Sequence, residues 1–127
     1  MLYKYQTDYE KVVLGILSLS NSHNNIEFLK QEIDWYNSAN NRILYVWKDE
    51  FNNWAGVLGV EEKNNYVLIR RVTLTPDVNT VFNIFRVLDN LNQIYSNDQI
   101  IGTLETRDII GKWERNNEQQ RNKNSYK

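Results

Sequence analysis

The sequence predicts a single α/β domain with a mixed sheet, its elements running β-α-α-β-β-β-α-β-α. Apolar residues recur at helical spacing in some stretches and with period two in others. Aromatic residues make up 13% of the chain, including four Trp and eight Tyr, which suits a core that contains strands. The turns fall at asparagines: against five Gly and one Pro there are nineteen Asn, five times as adjacent pairs. Asn tolerates the left-handed region and bonds nearby backbone with its own side chain, so Asn24-Asn25, Asn40-Asn41, Asn52-Asn53, Asn64-Asn65 and Asn116-Asn117 mark element boundaries.

Residues 2–6 alternate and form a short first strand, and Thr7-Asp8-Tyr9-Glu10 has the spacing of a capping box that starts a helix. Val12, Val13, Ile16 and Leu17 give that helix one apolar face, with Gly15 as a modest flaw. A second helix begins after Asn24 or Asn25, carries Ile26, Leu29, Ile33 and Tyr36 on one stripe, and ends near Ala39. From Arg42 the period becomes two. Strands over 42–48, 54–61 and 66–75 form an antiparallel meander that needs a helix on its face. Pro76 closes the third strand, because a residue without N–H cannot continue a ladder, and Asp77 or Asn79 caps the next helix. Val81, Ile84, Phe85, Leu88, Leu91 and Tyr95 trace that helix; 98–104 is a fifth strand, and Thr106 caps a last helix with Ile109, Ile110 and Trp113 inward. The domain ends near residue 117, and the polar segment 118–127 is expected to be disordered.

Composition excludes several functions. Without cysteine there is no thiolate nucleophile, Cys-based zinc site or disulfide, which fits a reducing compartment. A formal net charge of −1 gives too weak a field to gather a polyanion, so nucleic acid is not an expected partner. No apolar run approaches the roughly 20 residues of a membrane span, and the N-terminus lacks the plan of a signal peptide, so a cytoplasmic location without membrane association is expected. His23, the one histidine, lies in a polar stretch and reads as a surface-loop residue, so no metal is expected. Dinucleotide, P-loop and nucleophile-elbow motifs are all missing.

Four acidic residues come as neighbours, Asp49-Glu50 and Glu61-Glu62. Adjacent strand residues point to opposite faces, so neither pair is an obvious acid–base couple, and a solvated turn explains both. Arg70-Arg71 interrupts the most apolar strand. Two consecutive residues should face both sides of the sheet, one pairing with a neighbouring strand and the other free for an anionic ligand.

The order strand, two helices, then LYVWKDEFNNWAGVLGVEEKNNYVLIRRVTLTPDVNTVFNIFRVLDNL resembles the core of the GNAT-type N-acetyltransferase family, in particular its small members encoded in bacterial riboflavin operons, over most of residues 1–117. The resemblance implies a strand segment, Val72, Thr73 and Leu74, that offers backbone groups to the pantetheine of acetyl-CoA. It also implies a helix start, Asn79, Thr80, Val81, Phe82, Asn83 and Ile84, that holds the diphosphate on free N–H groups. Glu61, Glu62 and Glu105 are the candidate bases. Three parts of the motif depart from the family pattern. In the phosphate loop Asn79 stands at the first position and Phe82 and Ile84 where small residues are usual; Arg70 and Arg71 stand where many members carry an acidic base; and Trp113 stands where a tyrosine would protonate the leaving thiolate. The final strand pair of larger members is absent after Asn116.

Two readings follow from the resemblance. In one the chain acetylates a small-molecule or protein amine with acetyl-CoA. In the other it is a catalytically degenerate binding or regulatory module whose cofactor groove is filled by Phe82 and Ile84, with Trp35, Trp54 and Trp113 serving the core or a homodimer interface. An unrelated α+β domain with the same element order is the third possibility.

Overall fold

A computed structural model describes residues 1–20 and 25–125, the side chains of Ser20 and of residues 123–125 excepted; His23 lies outside the described residues. The element order is the expected one: β1 (Leu2–Lys4), α1 (Glu10–Ser20), α2 (Ile26–Asn37), β2 (Arg42–Lys48), β3 (Trp54–Glu62), β4 (Tyr66–Leu74), α3 (Val81–Ile94), β5 (Gln99–Gly102) and α4 (Arg107–Ser125). Thr7–Tyr9 and Pro76–Val78 are single 3₁₀ turns that lead toward α1 and α3. The five strands lie in the order β1-β2-β3-β4-β5, antiparallel except for the parallel pair β4–β5.

Both faces of the sheet are covered. Leu29, Ile33 and Tyr36 of α2 and Val13, Ile16 and Leu17 of α1 pack on Leu44, Val46 and Val57. Val87, Leu88 and Leu91 of α3 and Ile110 and Trp113 of α4 pack on the other face against Tyr45, Trp47, Leu58, Val60, Val67 and Ile69. Burying each such aliphatic side chain contributes roughly 1.5–3 kcal/mol.

The asparagine rule operates at two turns: Asn52 (φ 64°) and Asn65 (φ 70°) hold the left-handed conformation between β2 and β3 and between β3 and β4. Asn25 caps α2, its side chain accepting from the N–H of Glu27. The cap of α3 is neither Asp77 nor Asn79, because the turn at Pro76–Val78 intervenes; Thr80 caps it, its hydroxyl accepting from the N–H of Asn83. Downstream of residue 117 the chain continues as helix to Ser125, where the sequence suggested a loose tail. Glu, Gln, Arg and Lys are good helix formers, and their propensity extends α4 beyond its apolar contacts.

Two glycines are required by close approach. A Cβ on Gly102 would lie 2.8 Å from the backbone of Arg107, so α4 can begin hard against β5. A Cβ on Gly59 would lie 2.2 Å from the Tyr36 hydroxyl oxygen, so the tyrosine ring lies across the middle of β3. Gly59→Ala therefore has to displace a ring that is part of the α2 core, and should cost about 1–3 kcal/mol in urea unfolding.

Candidate active site

β4 is bonded to β5 only along its first half. Tyr66, Val67, Leu68 and Ile69 pair with Gln99, Ile100, Ile101 and Gly102, and there the parallel ladder stops. The end of β5 is tied to the end of that ladder by the next turn: the Thr106 hydroxyl donates to the Ile69 carbonyl (2.8 Å) and accepts from the N–H of Thr103 (3.0 Å). Thr106 thus fixes where the strands part, in place of capping α4 with its side chain. From Arg70 to Leu74 the β5 side of β4 has no strand partner, while β3 remains paired on the other side. The predicted Val72, Thr73 and Leu74 lie in this open half.

The open half runs through the Pro76 turn into the start of α3. Of the N–H groups expected to hold a diphosphate, three are already used: Thr80 donates to the Val78 carbonyl, Asn83 to the Thr80 hydroxyl and Ile84 to the Thr80 carbonyl. The Asn83 amide also donates to the Val78 carbonyl, which ties the turn to the helix. The N–H groups of Val81 and Phe82 have no partner among the described residues, and the first turn carries no acidic residue. Asn79 sits in the connecting turn as the residue after the 3₁₀ segment. Phe82 is 68% exposed and lies beside Arg86, whose guanidinium carbon is 5.8 Å from the ring centre. Ile84 packs on the α3–α4 core.

The three candidate carboxylates are not brought together. Glu61 and Glu62 pair with Leu68 and Val67, beside the half of β4 that β5 covers. As neighbours on a strand they take opposite faces. Glu61 is buried on the α2 side, accepting from Arg70 (2.5 Å) and lying 3.1 Å from the Lys63 ammonium. Glu62 is on the other side and accepts from the Tyr95 hydroxyl (2.6 Å), itself 2.8 Å from the Tyr45 hydroxyl. Burial and the Glu62 contact push the Tyr95 phenol up, so it stays protonated. Glu105 is exposed in the turn that Thr103 and Thr106 pin to Ile69, with no partner among the described residues.

Arg70 and Arg71 do not straddle the sheet. β3 and β4 slip by one residue between Gly59, opposite Arg71, and Val60, opposite Ile69, so Arg70 is the extra residue of a β-bulge. The bulge turns both side chains to the α2 face. Arg70 reaches Glu61, and Arg71 is bidentate to Glu32 of α2, with a further bond to the Thr73 hydroxyl (3.1 Å). Arg71 is therefore paired, where the sequence left one arginine free. Trp35 of α2 lies under two guanidiniums, Arg42 at 4.0 Å and Arg70 at 5.0 Å from the ring centre. Glu32 and Tyr36 were legible in the sequence only as members of the α2 stripe and its flank; a glycine within β3 was the one sign that something lies close to the sheet. Trp113 is buried and its indole N–H donates to Asp89 of α3 (2.8 Å), a link between helices and not an acid.

A cleft of about 840 Å³ between α3 and α4 lies away from this edge. Asp89, Asp98, Glu114 and Glu118 line it, a surface that repels a diphosphate. No group of three or more potential metal-ligating residues occurs among the described residues, and no described helix is long and apolar enough to cross a membrane.

The Arg70 hydrogen bond holds the Glu61 carboxyl below its ordinary value of 4.5, against the opposing effect of burial, with Lys63 adding to the lowering. A carboxylate with a lowered folded pKa contributes stability that is complete above the ordinary value and is lost as pH falls through the lowered one. Glu61→Gln should therefore be less stable than the parent at neutral pH, and the gap should narrow on acidification below about pH 4. Urea midpoints for the two proteins across this range measure it.

No known family profile matches the chain. A Bacillus methanolicus protein named as an uncharacterized N-acetyltransferase in the lysA 3′ region is 28% identical over 115 residues, which is 90% of this chain and 95% of the relative. Among solved structures, a GNAT family acetyltransferase of Staphylococcus aureus superposes with a TM-score of 0.60 at 18% identity, over 80% of this chain and 83% of that one. A spermidine N-acetyltransferase of Vibrio cholerae gives 0.57 at 14% identity, over 91% and 76%. An aminoglycoside 6′-N-acetyltransferase of Acinetobacter haemolyticus gives 0.61 at 8% identity, over 87% and 83%. The chain thus has the fold of solved GNAT-type acetyltransferases and is similar along nine-tenths of its length to a protein named as an N-acetyltransferase.

Proposed function

We propose that the chain transfers an acetyl group from acetyl-CoA to an amine. One observation carries this reading: the strand edge of β4 left open from Arg70 to Leu74 leads directly into a helix start with two unspent N–H groups. An extended chain bearing amides, such as pantetheine, can complete the ladder beside Val72, Thr73 and Leu74 much as a strand would. Its diphosphate then reaches the N–H groups of Val81 and Phe82, where the helix dipole favours negative charge.

Acetyl-CoA supplies an activated acyl carbon that an amine attacks directly, so the chain's work is positioning and polarisation of the carbonyl by a backbone N–H at the β4 bulge. Of the three candidate bases Glu105 is the one left free to take the amine proton, since Glu61 is committed to Arg70 and Lys63 and Glu62 to Tyr95. Trp113 offers no acid for the departing thiolate, and protonation by solvent suffices for a leaving group of modest basicity.

Val81→Pro tests the diphosphate site. Val81 is the first helical residue, where proline is accommodated, and Thr80 before it is already extended (φ −123°, ψ 157°), as a residue preceding proline requires. The substitution removes one of the two free N–H groups and keeps the helix. Calorimetric titration should show acetyl-CoA binding to the parent and roughly tenfold weaker binding to the variant, the loss of one charge-assisted hydrogen bond. Absence of binding by the parent at millimolar ligand rules the reading out.

A further inference from the structure

The face of β4 beneath α2 is rich in hydrogen-bond donors and has spent its acceptors. Tyr36 is 3% exposed and lies over Gly59, opposite Arg71, yet its hydroxyl has no partner among the described residues. Nor is it sealed in: the one described buried side-chain polar atom without either a partner or solvent is Nε of Arg42. A buried phenol without a protein partner is a donor left for a polar group from outside the chain.

The groups around it share one character. Both oxygens of Glu32 are taken by Arg71, and those of Glu61 by Arg70 and Lys63. Arg70 spends only its Nε on Glu61, which leaves its two terminal nitrogens on a side chain 39% exposed. Arg42, stacked on Trp35, bonds the Trp35 carbonyl and the Ser38 hydroxyl and has no carboxylate partner. The cations Arg42, Lys63, Arg70 and Arg71 thus outnumber the anions Glu32 and Glu61. Burial, with the Glu32 charge adding to it, raises the Tyr36 phenol to about 12, so at neutral pH it is a donor.

We propose that this face holds the acetyl acceptor, and that the acceptor is an amine carrying an anionic oxygen group, a carboxylate or a phosphate, bound by the Tyr36 hydroxyl and the terminal nitrogens of Arg70. The proposal builds on the acetyltransferase reading: the donors stand on the α2 side of the same stretch of β4 whose edge is open to the thioester. A polyamine finds no vacant carboxylate oxygen here, whereas the Vibrio cholerae neighbour is a spermidine enzyme. The anionic class therefore separates this chain from a protein that shares its fold.

The test is calorimetric titration of the full chain with three amines, β-alanine, O-phosphoethanolamine and spermidine, with and without saturating coenzyme A. Coenzyme A binding is measured separately, so that failure of the cofactor reading shows on its own. At least one of the two anionic amines is expected to bind, and the stronger of them identifies carboxylate or phosphate as the recognised group. Spermidine should bind at least about tenfold more weakly. Tyr36→Phe, which keeps the ring over Gly59, and Arg70→Gln, which leaves Lys63 to Glu61, should each weaken the anionic amine by about tenfold, and Tyr36→Phe should leave coenzyme A affinity unchanged. Spermidine binding as tightly as the anionic amines, no binding by either anionic amine, or undiminished binding by both variants overturns the proposal.

Discussion

A sheet strand ordinarily satisfies its backbone on both sides, and β4 does so for only four residues before β5 ends at Gly102. Every feature of the candidate site depends on that shortfall. The Thr106 hydroxyl holds the Ile69 carbonyl and keeps β5 from pairing further, Gly102 lets α4 turn away at once, and Pro76 ends β4 just before α3 begins. What remains is a strand edge and a helix start in sequence, both short of partners, within one continuous piece of backbone.

Charge on the sheet is organised by parity and by one interruption of it. Glu61 and Glu62 follow the alternation of a strand and serve opposite faces, one in an ion-pair cluster and the other in a chain of phenols. Arg70 and Arg71 break the alternation at the bulge, and both meet the α2 face as a result. The bulge thereby concentrates guanidinium groups beside the open edge of β4 and draws Glu32 and Glu61 into pairing with them. Guanidinium groups in the middle of a sheet would be costly without those carboxylates; with them, the cations are held in place, and Arg70 alone of the two keeps terminal nitrogens without a bonded partner among the described residues.

Much of the architecture was readable in the sequence, since it depends on periodicity and turn chemistry. The nine elements follow the changes of period, Asn52 and Asn65 make the left-handed turns, and Tyr36 belongs to the apolar stripe of α2. What the sequence could not convey depends on register and direction. The α3 cap shifts to Thr80 because Pro76 starts a separate turn, and the arginines share a face because β4 carries one residue more than β3. The bulk of Phe82 suggested a blocked phosphate site, and its exposure beside Arg86 at the start of α3 could be read only from the structure. The helical continuation to Ser125 has no apolar pattern to announce it, only residues that favour helix.

The central claim is that the unpaired half of β4 and the first turn of α3 together hold acetyl-CoA. Amide chemical shifts followed by NMR during a titration with acetyl-CoA test it residue by residue. The account predicts the largest changes at residues 70–74 and at Val81 and Phe82, with the strands β1 and β2 unaffected. Changes centred instead on the acidic cleft at Asp89, Glu114 and Glu118, or no change at saturating ligand, would contradict it.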